Sequence, residues 1–366
     1  MAETKNIGVI AEIISSQIFT EMKWDVSDKT DINWDCCMRS HLTKAQQNAE
    51  KPKIKTHPTD IVFSYPDPYN SEVTIYVQTD LKSYSKKTIR NYSDIMKTIR
   101  SLSEQVECSS KSQEWRSEFL LQQPSNYKVH GMLFIYNHDE MYDDDLLTKL
   151  SGVPNADYSL PSDSMMAIFD PKTIRFLLSS VEEINRRRNI PCDSKSDEIL
   201  WQKIPSREKC GFFYPDKHNK ISVKDTKLPA SIEMITSGML MFTYEHDFFV
   251  KIDGDTVKRE NKKILNIFWS EDALTKNPFI FVLEYIFNYQ LLSQFDRIYI
   301  CTPFSSESSS YLQQAITSYA GMYSFNAQQL TILKDTVISI PIHTKTVSIF
   351  DFQVASKNHS RICDFG

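Results

Sequence analysis

The chain has 366 residues, more than one hydrophobic core usually serves, and 41% of them are hydrophobic and 12% aromatic, which excludes global disorder and leads us to expect two domains. Its 8 glycines form neither G-x-x-x-x-G-K-[ST] nor G-x-G-x-x-G, so a P-loop ATPase or a dinucleotide-binding fold loses its main support. A net charge of −5 supplies no global field to draw the chain onto nucleic acid, so any such contact must rest on a local basic patch, a bound cation or a partner subunit.

Taken in chain order, the N-terminal MAETKNIGVIAEIISSQIF has acids early and lacks a signal-peptide layout. Apolar residues at 9, 10, 13, 14, 18 and 22 have helical spacing over 7–23. Residues 24–55 are polar and irregular and read as a short strand followed by a long loop or lid. Residues 60–65 and 72–82 read as two strands joined by a PDPYN turn. A helix over 88–106, basic along part of its surface, leads to a buried strand at 129–136 (VHGMLFIY). Another strand at 165–169 and a helix over 173–188, ending in Arg186, Arg187 and Arg188, complete a first domain assigned to 1–190. The polar PCDSKSDE at 191–198 is the expected linker.

A second α/β domain is expected over 199–366. It reads as a hairpin near 214–219, a strand at 238–244, a helix from 278 to 295, a strand at 297–301, a helix from about 308 and a last strand pair. Glu284, Asn288 and several glutamines and serines interrupt the apolar run at 278–295, which reads as a buried helix rather than a membrane span. FSYPDPYN (63–70) echoes FFYPDKHN (212–219), and GMLFIYNHD echoes GMLMFTYEHD. The unequal spacing leaves both a duplicated unit and convergent composition open.

The 7 cysteines are odd in number, thinly spread and without a CxxC pair, as expected of a reduced, cytoplasmic protein. Cys36, Cys37 and His41 fall short of a zinc motif, because the cysteines are adjacent and no second ligand pair follows. His138 and His246 each follow an aromatic strand end. They are candidates for a general base or for ordinary loop histidines. No G-x-S-x-G elbow supports a serine hydrolase.

Side chains on a strand alternate between faces. Val73, Ile75, Val77, Thr79 and Leu81 therefore share one face, and Gln78, Asp80 and Lys82 the other. Matching this apolar set to Ile61, Phe63 and Tyr65 brings Asp60 onto the face of Gln78, Asp80 and Lys82. With a turn of about five residues, Asp60 is expected near Gln78 and diagonal to Asp80. Asp67 falls at the opposite end as a turn residue. Two converging carboxylates repel unless a hard cation lies between them, and magnesium takes such oxygen ligands. A lysine two residues on, pointing the same way, can stabilise the developing negative charge. The alternative is a solvated strand face with a local ion pair.

Asp60 followed by Asp80-Leu81-Lys82, preceded by a helix carrying Glu12, resembles the PD-(D/E)xK, or restriction-endonuclease-like, nuclease superfamily. The resemblance covers roughly 5–140 and implies an α-β-β-β-α-β core and metal-dependent hydrolysis of DNA, or less often RNA. It implies Glu12 and Asp60 as metal-associated acids, Asp80 as the central ligand, Lys82 as the catalytic lysine and Gln78 as an auxiliary polar group, with Mg²⁺ or Mn²⁺ as cofactor. Lys86, Lys87, Arg90, Lys97 and Arg100 are candidate phosphate contacts, the alternative being an ordinary solvated helix face. The arginines at 186–188 admit the same reading, or that of cations at a helix C-terminus. The resulting expectation is a nuclease acting with a protein partner or second copy, as the effector subunit of a bacterial anti-phage defence or restriction system. The rival is a non-catalytic scaffold subunit with a decayed nuclease fold. A third reading is an enzyme acting through the C-terminal half near His246.

Overall fold

Two long antiparallel strands form the centre of the first unit in the computed structural model, β2 (Thr56–Asp67) and β3 (Asn70–Tyr84). The structure describes residues 2–48, 55–120, 126–151, 160–189, 204–215, 227–252, 256–303 and 305–343. Two compact units divide the chain between Arg175 and Phe176. The expected linker at 191–198 lies outside the described residues.

The first unit begins with α1 (Ala2–Glu21) and β1 (Asp25–Asp35), a short 3-10 turn (Arg39–His41) and α2 (Lys44–Gln47) ahead of β2. After β3 come α3 (Lys86–Ile89), α4 (Tyr92–Ser109), α5 (Gln113–Phe119), β4 (Tyr127–Asn137), α6 (Leu146–Ser151) and β5 (Met166–Phe169). The sheet order is β1-β2-β3-β4-β5. The first two pairings are antiparallel and the last two parallel. This is the expected α-β-β-β-α-β core, a mixed α/β fold.

Both faces of β3 are covered, and for different reasons. Ile75 and Val77 join Phe63 and Tyr65 on the apolar face. There Trp24 stacks on Phe63 at 4.1 Å and Phe19 of α1 packs against the same ring at 5.0 Å. The opposite face receives α4 and α5. Ile95, Ile99, Leu102 and Val106 recur at helical spacing on α4 and pack with Leu133 and Ile135 of β4. Gly131 permits that approach, since a Cβ there would come within 2.7 Å of the Val106 side chain.

In the sheet of the first unit, two features differ from the sequence reading before the site is reached. The region after residue 24 holds an eleven-residue strand rather than a short one. Its polar DVSDKTDINWD hides it because β1 is an edge strand with most side chains exposed, where charges guard against edge pairing. The β2–β3 turn is also tighter than PDPYN implied. Asp67 pairs with Asn70, and its Oδ1 accepts the Tyr69 and Asn70 amides at 2.9 and 3.2 Å.

The helix α7 (Pro171–Arg188) leads into β6 (Cys210–Phe212), α8 (Ile232–Thr236), β7 (Met239–Ile252) and β8 (Thr256–Trp269). Then follow α9 (Asn277–Asn288), β9 (Arg297–Pro303), α10 (Ser308–Met322), α11 (Ala327–Thr336) and β10 (Val337–Ile342). The sheet order is β10-β9-β8-β7-β6. From β6 onward the pairings run antiparallel, antiparallel, parallel, parallel, as in the first sheet. The first half of β8, TVKRENKK, is too polar to read as a strand, and only its pairing with β7 defines it. The anticipated helix to residue 295 stops at Asn288, where Gln290 takes a left-handed φ of 55°. The hairpin turn expected at 216–219 and the final strand expected after 343 lie outside the described residues. Among the described residues, no helix is long and apolar enough to cross a membrane.

Candidate active site

Val62 pairs with Gln78 and Ile61 with Thr79. Continuing that register sets Asp60 across from Asp80, one pair further along than the expected position beside Gln78. The register shift between Pro66 and Asp67 is the reason: Asp67 pairs with Asn70 at the turn but Pro66 pairs with Thr74, so residues 71–73 of β3 are taken up at a bulge and the pairing moves on by three positions. The face assignment itself matches: Asp60, Asp80 and Lys82 meet at the open end of the hairpin.

Lys82 Nζ bonds Asp80 Oδ1 and lies 3.8 Å from Asp60 Oδ2. Two contacts from one nitrogen, each within the ~4 Å of an ion pair, hold these carboxylate oxygens within about 8 Å of each other. The Leu81 amide donates to Asp60 Oδ2 at 2.7 Å, orienting that carboxylate from the backbone of β3. Asp80 is buried, while Asp60 and Lys82 are half-buried, so the cluster has one side open.

Burial raises the Asp60 carboxyl to about 6. Lys82 opposes the rise, and the Asp80 charge reinforces it. Burial works against the Lys82 ammonium too, but Asp80 and Asp60 outweigh it and hold its pKa above the ordinary value. Two hard oxygen donors facing one cationic group form a donor set suited to a divalent ion. Asp60 and Asp80 are the residues that would hold it.

The remaining sequence candidates fall elsewhere. Gln78 is fully buried, away from the open end. Its Oε1 accepts from Trp115 Nε1 at 3.0 Å, while its Nε2 donates to Gln105 Oε1 at 3.0 Å and to Thr59 Oγ1 at 2.8 Å. Glu12 is exposed on α1, and among the described residues it shares no hydrogen bond or ion pair with Asp60, Asp80 or Lys82. His138 Nδ1 lies 3.3 Å from Ser83 Oγ, and His246 lies opposite Lys262 in the second unit.

Acids face the basic candidates. Lys86 pairs with Asp143 at 3.0 Å, Arg90 with Asp144 at 2.8 Å and Lys97 with Asp94 at 2.9 Å, while Lys87 is exposed. The arginines at 186–188 do not form a surface patch. Arg187 is 1% exposed and bonds Glu183 at 2.7 Å and Asn266 Oδ1 at 2.7 Å inside the second unit. The guanidinium of Arg188 donates to the Pro205 carbonyl at 3.1 Å. The Leu81 amide is the contributor that residue-type reasoning missed, because a backbone donor leaves no mark in side-chain identity.

Residues 1–173 match the family model described as the GAPS4 protein PD-(D/E)XK nuclease domain. No curated protein and no solved structure matches the chain.

Proposed function

We propose, from a PD-(D/E)XK nuclease domain over the N-terminal part of the chain, that this protein hydrolyses phosphodiester bonds in DNA through Asp60, Asp80 and Lys82 with a bound Mg²⁺ or Mn²⁺. The observation that carries this reading is the convergence of Asp60 and Asp80 on the Lys82 ammonium at the open end of the β2–β3 hairpin.

A divalent ion held by Asp60 and Asp80 would supply positive charge to the phosphodiester and acidify water. Asp80 and Asp60 would hold it, Asp60 after releasing the proton that its burial favours. Leu81 keeps the Asp60 carboxylate turned toward Asp80 during that change. Lys82 stays cationic and stabilises the charge that gathers on the phosphate oxygens. A net charge of −5 and acid-paired basic residues favour targeting by a partner chain or a second copy. That arrangement suits the effector subunit of a bacterial anti-phage defence or restriction system.

The test compares wild type with Asp80→Ala and Lys82→Ala on plasmid DNA and on RNA, each with Mg²⁺ or Mn²⁺. Either substitution is expected to lower DNA cleavage by at least about 100-fold. Equal cleavage by all three proteins would remove the assignment. Cleavage confined to RNA would change the substrate while keeping the site.

A further inference from the structure

The open end of the hairpin also carries a second constellation, made of residues distinct from the carboxylate set. Cys36 directly follows β1, His41 closes the 3-10 turn, His57 sits on β2 opposite Trp34, and Cys108 lies in the last turn of α4. One donor atom from each lies within 4.8 Å of all the others. We propose that Cys36, His41, His57 and Cys108 bind one zinc ion in a closed, structural, four-coordinate site.

The distances carry the argument. Zinc lies about 2.3 Å from sulfur and about 2.0–2.1 Å from nitrogen, so tetrahedral ligands stand about 3.8 Å apart for sulfur–sulfur and about 3.6 Å apart for sulfur–nitrogen. Here the two Sγ atoms are 3.5 Å apart, and His41 Nδ1 lies 3.5 Å from Cys36 Sγ and 3.3 Å from Cys108 Sγ. The spacing is therefore within a few tenths of an ångström of that required before any ion is added.

Two further observations point to a ligand. His57 is 1% exposed, yet its Nε2 has no hydrogen-bond partner. A buried ring nitrogen left in that state is costly unless something binds it. His41 Nε2 lies 3.0 Å from Glu107 Oε2, the carboxylate contact that orients a metal-binding histidine and leaves Nδ1 free to coordinate. Two thiolates balance the zinc charge, and a mixed sulfur–nitrogen set suits zinc. With four protein ligands, no position remains for substrate, which makes the site structural rather than catalytic.

A Cys36–Cys108 disulfide is the competing explanation. Its sulfurs would have to close to about 2.05 Å, and the two histidine nitrogens would be left facing nothing. Cys37 is exposed, with its Sγ 3.7 Å from the Cys108 carbonyl oxygen, and lies outside the set. The sequence lacked a second ligand pair after His41 because that pair arrives from β2 and α4. Zinc here fastens the segment after β1, and the start of β2, onto α4. His57 precedes Asp60 on that strand by three residues, so the same clamp steadies the strand that bears the candidate metal ligand.

The full-length chain, purified under reducing conditions without chelator, is expected to contain one zinc per molecule by elemental mass spectrometry. Replacement by Co²⁺ is expected to give thiolate-to-cobalt charge transfer and intense tetrahedral visible bands. Cys36→Ser and Cys108→Ser should each abolish the wild-type spectrum, and Cys37→Ser should keep it. The wild-type metal content and spectrum decide the question even where a ligand variant fails to fold. Background zinc after incubation with Zn²⁺ and dialysis, an octahedral cobalt spectrum, zinc retained in both ligand variants, or a Cys36–Cys108 disulfide in wild type would each overturn the proposal. None of these readouts depends on nuclease activity.

Discussion

The backbone amide of Leu81 donates to Asp60 Oδ2 at 2.7 Å, so the strand bearing Asp80 and Lys82 also sets the orientation of the carboxylate across from them. One hydrogen bond thereby links the two halves of the site. It holds Asp60 where burial and the Asp80 charge resist its ionisation.

That resistance predicts a pH dependence. The folded Asp60 carboxyl titrates at about 6 against an ordinary 3.8, so the folded chain keeps a proton that the unfolded chain has released. Its contribution to stability is fully present below 3.8 and is lost as pH rises through about 6. Without divalent ions, the stability of wild type relative to Asp60→Asn should fall across this window by on the order of 1–3 kcal/mol. Urea unfolding of both proteins through the window measures it, and parallel profiles would refute the account. Since an ion needs the carboxylate form, divalent-ion affinity should rise with pH and level off above about 6.

Gln78 should behave as a positioning residue. Gln78→Leu removes the acceptor of Trp115 Nε1 and the donor to Gln105 Oε1 in the core, while Thr59 Oγ1 keeps its bond from Trp34 Nε1. The substitution is expected to cost about 2–3 kcal/mol of stability by urea unfolding. Assayed well below its melting temperature, the variant should retain most of the wild-type kcat. Complete loss of cleavage with unchanged stability would instead make Gln78 part of the chemistry.

Asp143 and Asp144 pair with Lys86 and Arg90, two of the cations proposed as phosphate contacts. The double substitution Asp143→Asn, Asp144→Asn should release Lys86 and Arg90 and strengthen DNA binding several-fold at low salt. The slope of log K against log salt should steepen by about 1–2, roughly 0.9 for each phosphate gained. Fluorescence anisotropy across a salt series measures this, and an unchanged slope would show that the two cations do not reach nucleic acid.

Strand periodicity, with the apolar faces of β2 and β3 matched across the hairpin, placed Asp60 on the face of Asp80 and Lys82, because alternation in neighbouring strands needs no distant partner. The amphipathic helices α4 and α7 were legible for the same local reason. The edge strand β1 and the first half of β8 were not, since exposed pairing leaves little hydrophobic signature.

The tertiary structure decided what depends on long-range closure. It advanced Asp60 to a position opposite Asp80 through the register shift between Pro66 and Asp67, and it occupied Gln78 with Trp115 and Gln105. It also carried Cys108 to His41 and Cys36 across 67 and 72 positions of chain. Residue types and local spacing specified the carboxylates and the lysine as a possible set. The Cys2His2 constellation exists only where packing of α4 on the sheet brings separate segments together.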